Sequence, residues 1–84
     1  LDIHELRRYT EAIERYNQLL TIRPQDYQAF YDQAQAENAL ERYSDAIKSL
    51  EAAIFIKQDY YQAWYALGNV QFTLQRYQNV IASD

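Results

Sequence analysis

The chain repeats itself every 34 residues, and that period constrains its fold more than any other feature. Arg8-Tyr9 followed by Ala12-Ile13 returns as Arg42-Tyr43 with Ala46-Ile47, and again as Arg76-Tyr77 with Val80-Ile81. Leu6, Leu40 and Leu74 stand just ahead of each copy, and Tyr27-Gln28-Ala29-Phe30-Tyr31 reappears as Tyr61-Gln62-Ala63-Trp64-Tyr65 in the same register. A fixed period of this length means one supersecondary unit that buries its apolar face against copies of itself.

The unit is helical. Glycine and proline occur once each, so almost nothing interrupts helix. Pro24 cannot continue a helix ending near Ile22, and Asp26 can cap a new one running from about Tyr27 to Leu40. Thr10 and Ser44 stand near the openings of two further helices that end near Ile22 and Ile56, with Glu11 and Asp45 placing negative charge at positive helix ends. Asp59 can cap a helix from about Tyr60 to Thr73, and a last helix is expected from about Gln78 to Asp84. Each period then holds two helices joined by short turns, an antiparallel pair. Counting from Tyr27 as the first place of a unit, small residues recur at fixed places: Ala34 and Gly68 in the eighth, Ala12, Ala46 and Val80 in the twentieth, Ala53 in the twenty-seventh. A mid-helix glycine costs about 1 kcal/mol relative to alanine, so Gly68 is expected to mark a close helix contact with Trp64 as the large knob beside it. Tyr9, Tyr43, Tyr77, Phe30 and Trp64 fall at the phase that packs helix on helix. Tyr31 and Tyr65 fall at a more open phase, where partner contact and a solvated face both remain open.

Composition narrows the function. A chain of 84 residues is one domain with a small core. Eight Lys and Arg against twelve Asp and Glu leave a net charge of -4, a field that repels nucleic acid and anionic membrane. No apolar run is long enough for membrane insertion, and no signal peptide opens the chain. The absence of cysteine fits a reducing, cytoplasmic compartment and removes disulfides and thiolate ligands. A start at Leu1 suggests an excised fragment. His4 is the single histidine, so a zinc site would need carboxylates to complete it. The serines have no basic partner in a triad arrangement, and a lone glycine forms no phosphate loop. Acid pairs such as Asp32 with Glu37, or Glu11 with Glu14, read as solvated helix charges rather than acid-base catalysts. No metal or cofactor is called for, and no enzyme.

In its phasing the chain resembles the tetratricopeptide repeat family over its whole length. Trp64-Tyr65-Ala66-Leu67-Gly68 is similar to that family's first-helix signature, the Arg-Tyr and Ala-Ile pairs to the opening of its second helix, and Pro24 to its terminal proline. The resemblance implies an all-α fold of antiparallel helix-turn-helix repeats in a short right-handed α-solenoid. It divides the single domain into a partial repeat over 1–26, a complete one over 27–60 and a partial one over 61–84, with both ends cut inside helices. Gln33, Glu37, Gln71, Leu19, Val80 and Gln58 depart from the family pattern, so looser or altered packing is expected around them.

The resemblance further implies a concave groove, lined by first helices, that binds a peptide or protein partner. Carried onto this chain, the groove-facing residues are Gln28, Tyr31, Asp32, Gln35 and Asn38, then Gln62, Tyr65, Ala66, Asn69, Phe72 and Thr73, with His4 and Glu5 from the first repeat. No lysine or arginine lies between Pro24 and Glu41 or between Gln58 and Gln75, so the wall is expected to be neutral to acidic, with Asp32, Glu37 and Glu5 nearby. Family members that clamp a C-terminal carboxylate use lysines and arginines; only Asn69 resembles part of that clamp, and the activity is rejected here. Amides and tyrosines suit a neutral or basic peptide instead, through backbone hydrogen bonds and ring contacts. The alternative is self-association: Leu1, Ile3 and Leu6 at one end and Val80 and Ile81 at the other are apolar positions through which a homo-oligomer would form.

Overall fold

The computed structural model describes residues 2–82 of the chain, and side chains through Val80. Leu1, the side chain of Ile81 and the expected helix end at Asp84 lie outside the described residues. Four helices follow one another: α1 (Ile3–Ile22), α2 (Tyr27–Ala39), α3 (Tyr43–Ile56) and α4 (Tyr61–Ala82), with no strand among the described residues. Each packs chiefly on its neighbours in sequence, α1 on α2, α2 on α3 and α3 on α4. The result is an all-α helical repeat solenoid, a flat stack of 45 × 33 × 17 Å.

Local chemistry sets the boundaries of α2. Asp26 Oδ1 accepts from Ala29 N–H at 3.1 Å, as its capping role requires, and Pro24 falls in the turn before it. At the other end Arg42 N–H donates to Glu37 O at 2.8 Å and Glu41 N–H to Asn38 O at 3.0 Å, the paired bonds of a Schellman turn. The turn puts Glu41 at φ 60°, a left-handed conformation that costs a non-glycine residue about 1–2 kcal/mol. Folding α3 back onto α2 offsets that cost, because it buries Ala34, Ala46, Leu50, Ala53 and Ile54 in one cluster with Ala63, Leu67 and Val70 of α4.

The same Leu-x-Arg-Tyr sequence does not turn in its outer copies. The helices expected to open near Thr10 and Gln78 do not open there. Leu6-Arg7-Arg8-Tyr9 lies inside α1, which begins at a cap formed by Asp2 Oδ1 on Glu5 N–H at 2.8 Å, and Thr10 Oγ1 donates back to Leu6 O instead of capping. Leu74-Gln75-Arg76-Tyr77 lies inside α4, which runs past Thr73 to Ala82. With no glycine or proline to stop it, a helix continues unless packing across the turn offsets a strained residue; only the central copy has that packing among the described residues. Ser44 likewise does not cap α3, whose N-cap is Arg42 without a side-chain bond, while Asp45 does sit in its first turn, paired with Arg42 at 2.8 Å. Asp59 pairs with Lys57 at 3.2 Å, and α4 opens after Tyr60.

Continuation of α4 overturns the packing expected of Gly68, Trp64 and Val80. Ala34 is buried under α3, whereas a Cβ built on Gly68 would meet nothing within 4 Å. Trp64 is 50% exposed and Val80 67%, while their central counterparts Phe30 and Ala46 lie against or inside the core. No helix lies over that face of α4 among the described residues. Tyr77 is also half-exposed, though its ring stacks on Tyr43 with centroids 5.8 Å apart.

The departures from the family pattern at Gln33 and Glu37 are not loose spots. Both are buried, and Ser49 Oγ donates to Glu37 Oε1 at 2.7 Å while Gln33 Nε2 donates to Asn17 Oδ1 at 2.9 Å and to Glu37 Oε2 at 3.4 Å. This chain of bonds threads α1, α2 and α3 together and satisfies polar groups whose burial unpaired would cost about 1–3 kcal/mol each. Glu37 is therefore turned into the stack rather than toward the wall that it was expected to acidify.

Candidate functional site: a cleft between α2 and α4

The third helix packs antiparallel to both its neighbours, so α2 and α4 run side by side in the same direction and a cleft opens between them. It has a volume of about 260 Å³ and is lined by Tyr31, Ala34, Gln35 and Asn38 of α2, Leu50 of α3 beneath, and Tyr65, Ala66, Asn69 and Val70 of α4. Six of the positions singled out in sequence meet here: Tyr31, Gln35, Asn38, Tyr65, Ala66 and Asn69. Helical spacing aligns 31, 35 and 38 on one helix with 65, 66 and 69 on the other, while the smaller buried residues Ala34, Leu50 and Val70 make the floor. No lysine or arginine lines this cleft.

Other expected positions fall elsewhere. Asp32 faces the α1 side, where a cleft of about 580 Å³ joins it and the far edges of Gln35 and Asn38 to Arg8, Tyr9, Ala12 and Tyr16. Continuation of α1 through Arg8 brings a cation to that side. Burial, and then the charge of Asp26, raise the Asp32 carboxyl above its ordinary value; burial and Asp32 together raise the Tyr16 hydroxyl. Phe72 and Thr73 line a separate recess further along α4 with Arg76 and Tyr77. Gln28 and Gln62 are exposed one turn before the cleft, and His4 and Glu5 are exposed in the first turns of α1.

Tyr31 is held rather than free. Tyr60 lies against it with ring centroids 5.3 Å apart and against Tyr27 edge-on at 5.2 Å, and Lys57 Nζ lies 5.4 Å from the Tyr27 centroid. Pairs of this kind contribute about 0.5–1.5 kcal/mol beyond area burial, so the cluster fixes the base of the cleft. Burial first, then the neighbouring Tyr31, Asp32 and Tyr27, push the Tyr60 hydroxyl up. The repeat offers no signal for this residue, because Tyr60 stands in register with Asp26 and so has no aromatic echo. Tyr65, by contrast, is 75% exposed and presents most of its ring. Among the described residues no group of three or more His, Cys, Asp or Glu is placed to hold a metal ion, and no helix is long and apolar enough to cross a membrane.

A tetratricopeptide repeat family model matches residues 5–60 and, in a second overlapping register, 40–79. The chain belongs to this family, whose members are typically non-catalytic scaffolds that mediate protein-protein interactions. No curated protein matches it.

Proposed function

From membership of that family, we propose that this chain is a non-catalytic scaffold whose α2–α4 cleft takes an extended peptide of neutral or basic character. The observation that carries the reading is the composition of the cleft: two tyrosines and three amide side chains over an apolar floor, with no cation among the lining residues. Gln35, Asn38 and Asn69 offer donors and acceptors in pairs, the pattern that a peptide backbone presents, and Tyr31 and Tyr65 offer flat contact area at small conformational cost. With no lysine or arginine to meet it, a terminal carboxylate would lose its hydration without gaining a charged partner, so acidic C-termini are disfavoured. Gln28 and Gln62 stand at one end of this track, and beyond its other end Phe72 and Thr73 line a separate recess that a longer peptide would reach. In this reading residues 27–60 form one complete unit, flanked by partial units over 1–26 and 61–84.

The test is selection of a random peptide display library on the chain, run beside a variant carrying Tyr31→Ala, Tyr65→Ala and Asn69→Ala. The wild type should enrich neutral or basic sequences that the triple variant does not retain. Enrichment of acidic C-termini, or binding that survives the triple substitution, would overturn the assignment.

A further inference from the structure

Two residues of the central unit break the 34-residue echo, and they flank Tyr31 at one end of the cleft. Asp32 stands in register with Ala66, and Tyr60 in register with Asp26, the N-cap of α2. Tyrosine cannot cap as aspartate does, so at the start of α4 Ala63 N–H turns back to Tyr60 O at 3.1 Å instead. The chain thus forgoes a side-chain cap where it places a ring against Tyr31 and Tyr27. Asp32, next to Tyr31 in α2, is half-buried and makes no ion pair among the described residues. Arg8 borders the hollow on its α1 side without pairing with it. Burial, then Asp26, raise the Asp32 carboxyl, so a cation beside it would favour the charged form that its surroundings disfavour. The charge of Asp32 in turn reaches the Tyr60 hydroxyl, which burial, Tyr31 and Asp32 raise in that order. The same set of rings already holds one ammonium group: Lys57 Nζ lies 5.4 Å from the Tyr27 centroid, its charge offset by Asp59 at 3.2 Å. Tyr31, which lines the cleft, has no lysine or arginine among its fellow lining residues.

We infer that the peptide taken by the α2–α4 cleft carries one obligatory lysine or arginine, whose side chain lies on Tyr31, with Tyr60 bracing that ring and Asp32 as the counter-ion. The inference rests on the peptide-binding role proposed for the cleft. Ring and carboxylate attract the same group, the ring through the negative charge of its face and Asp32 through its full charge. Gln35 and Asn38, one and two turns along α2 from Tyr31, then hold the peptide backbone beside the anchored residue. Every residue of this anchor lies between 27 and 60, in the unit that packs on helices to both sides.

The experiment is selection of the random peptide display library on the chain and on Asp32→Asn, which breaks no ion pair and should fold, followed by calorimetry of an enriched peptide. Sequences enriched on the wild type should share a lysine or arginine at one fixed place, and selection on Asp32→Asn should relax that requirement. Replacing the shared residue by a neutral analogue of similar shape, acetyl-lysine or citrulline, should weaken binding about fivefold to thirtyfold on the wild type. On Asp32→Asn the same replacement should cost a factor about three times smaller. Tyr60→Phe keeps the bracing ring and should preserve the wild-type factor, whereas Tyr60→Leu should reduce it. Enriched sequences without a fixed basic residue overturn the inference; if they are lost on Tyr65→Ala with Asn69→Ala, the cleft still stands as a peptide site. Binding indifferent to those two substitutions overturns both readings. A charge effect equal on the wild type and on Asp32→Asn, or one indifferent to Tyr60→Leu, also overturns the inference, since it places the cation elsewhere.

Discussion

One substitution made at three equivalent places should change stability with opposite signs. Glu41, Arg7 and Gln75 occupy the same position in the three copies of Leu-x-Arg-Tyr, yet Glu41 is left-handed at φ 60° while Arg7 and Gln75 are helical and exposed. Glu41→Gly removes a steric penalty of about 1–2 kcal/mol. It adds about 0.5–1 kcal/mol of backbone entropy lost on folding, because the unfolded glycine is freer. The net expectation is a gain of about 0.5–1 kcal/mol, with both Schellman bonds, Arg42 N–H to Glu37 O and Glu41 N–H to Asn38 O, retained. Arg7→Gly and Gln75→Gly relieve no strain and carry only the helix-interior penalty of glycine, a loss of about 0.5–1 kcal/mol each. Urea unfolding followed by far-ultraviolet circular dichroism measures the first, and amide hydrogen exchange around each site measures the local losses in α1 and α4. If Gln75→Gly or Arg7→Gly stabilises the chain as Glu41→Gly does, the outer copies are turns, and the continuous helices described here are wrong.

Gly68→Ala should stabilise α4 by about 1 kcal/mol, since the added methyl meets nothing within 4 Å and alanine is the better helix former; a loss of stability in urea would place a helix against that face. Burial raises the Glu37 carboxyl above its ordinary value, even though bonds from Ser49 and Gln33 oppose the shift. Its folded value therefore exceeds its unfolded one, so its contribution to stability is largest below the ordinary glutamate range and is lost as pH rises through the raised value. Asp32 is raised as well and adds a slope of the same sign, so unfolding free energies measured from acid to neutral pH should fall with pH, and Glu37→Gln should flatten the fall without abolishing it; an unchanged profile would contradict the burial of that carboxylate. Ser49→Ala strips the 2.7 Å donor from Glu37 and should cost about 1.5–3 kcal/mol at neutral pH, read from the midpoint of urea unfolding.

The period read from the sequence carried the helical class, the α2 boundaries and the burial of Ala34, Ala46 and Ala53, because in the central unit local preference and packing agree. It misled at the outer copies of Leu-x-Arg-Tyr and at the faces those turns would have covered. Arg8-Tyr9 and Arg76-Tyr77 echo Arg42-Tyr43, but a turn at Leu-x-Arg-Tyr is not written in those residues; it forms at Glu41 because α3 has α2 to bury against. The close contact expected at Gly68 and Trp64 fails for the same reason, since no helix lies over them among the described residues. In the cleft, helical spacing was enough to bring Tyr31, Gln35 and Asn38 opposite Tyr65, Ala66 and Asn69, whereas the support that Tyr60 gives Tyr31 left no trace in the period. The network of Gln33, Glu37, Ser49 and Asn17 was also invisible, because pairing of polar groups across helices has no sequence period.

Backbone amide chemical-shift mapping of the isotopically labelled chain, titrated with a peptide enriched from the display library, tests the functional account most directly. Shifts should concentrate at Tyr31, Gln35, Asn38, Tyr65 and Asn69, the two sides of the α2–α4 cleft. Shifts gathered instead around Glu51 and Phe55 on the outer surface of α3, with the cleft unmoved, would contradict it.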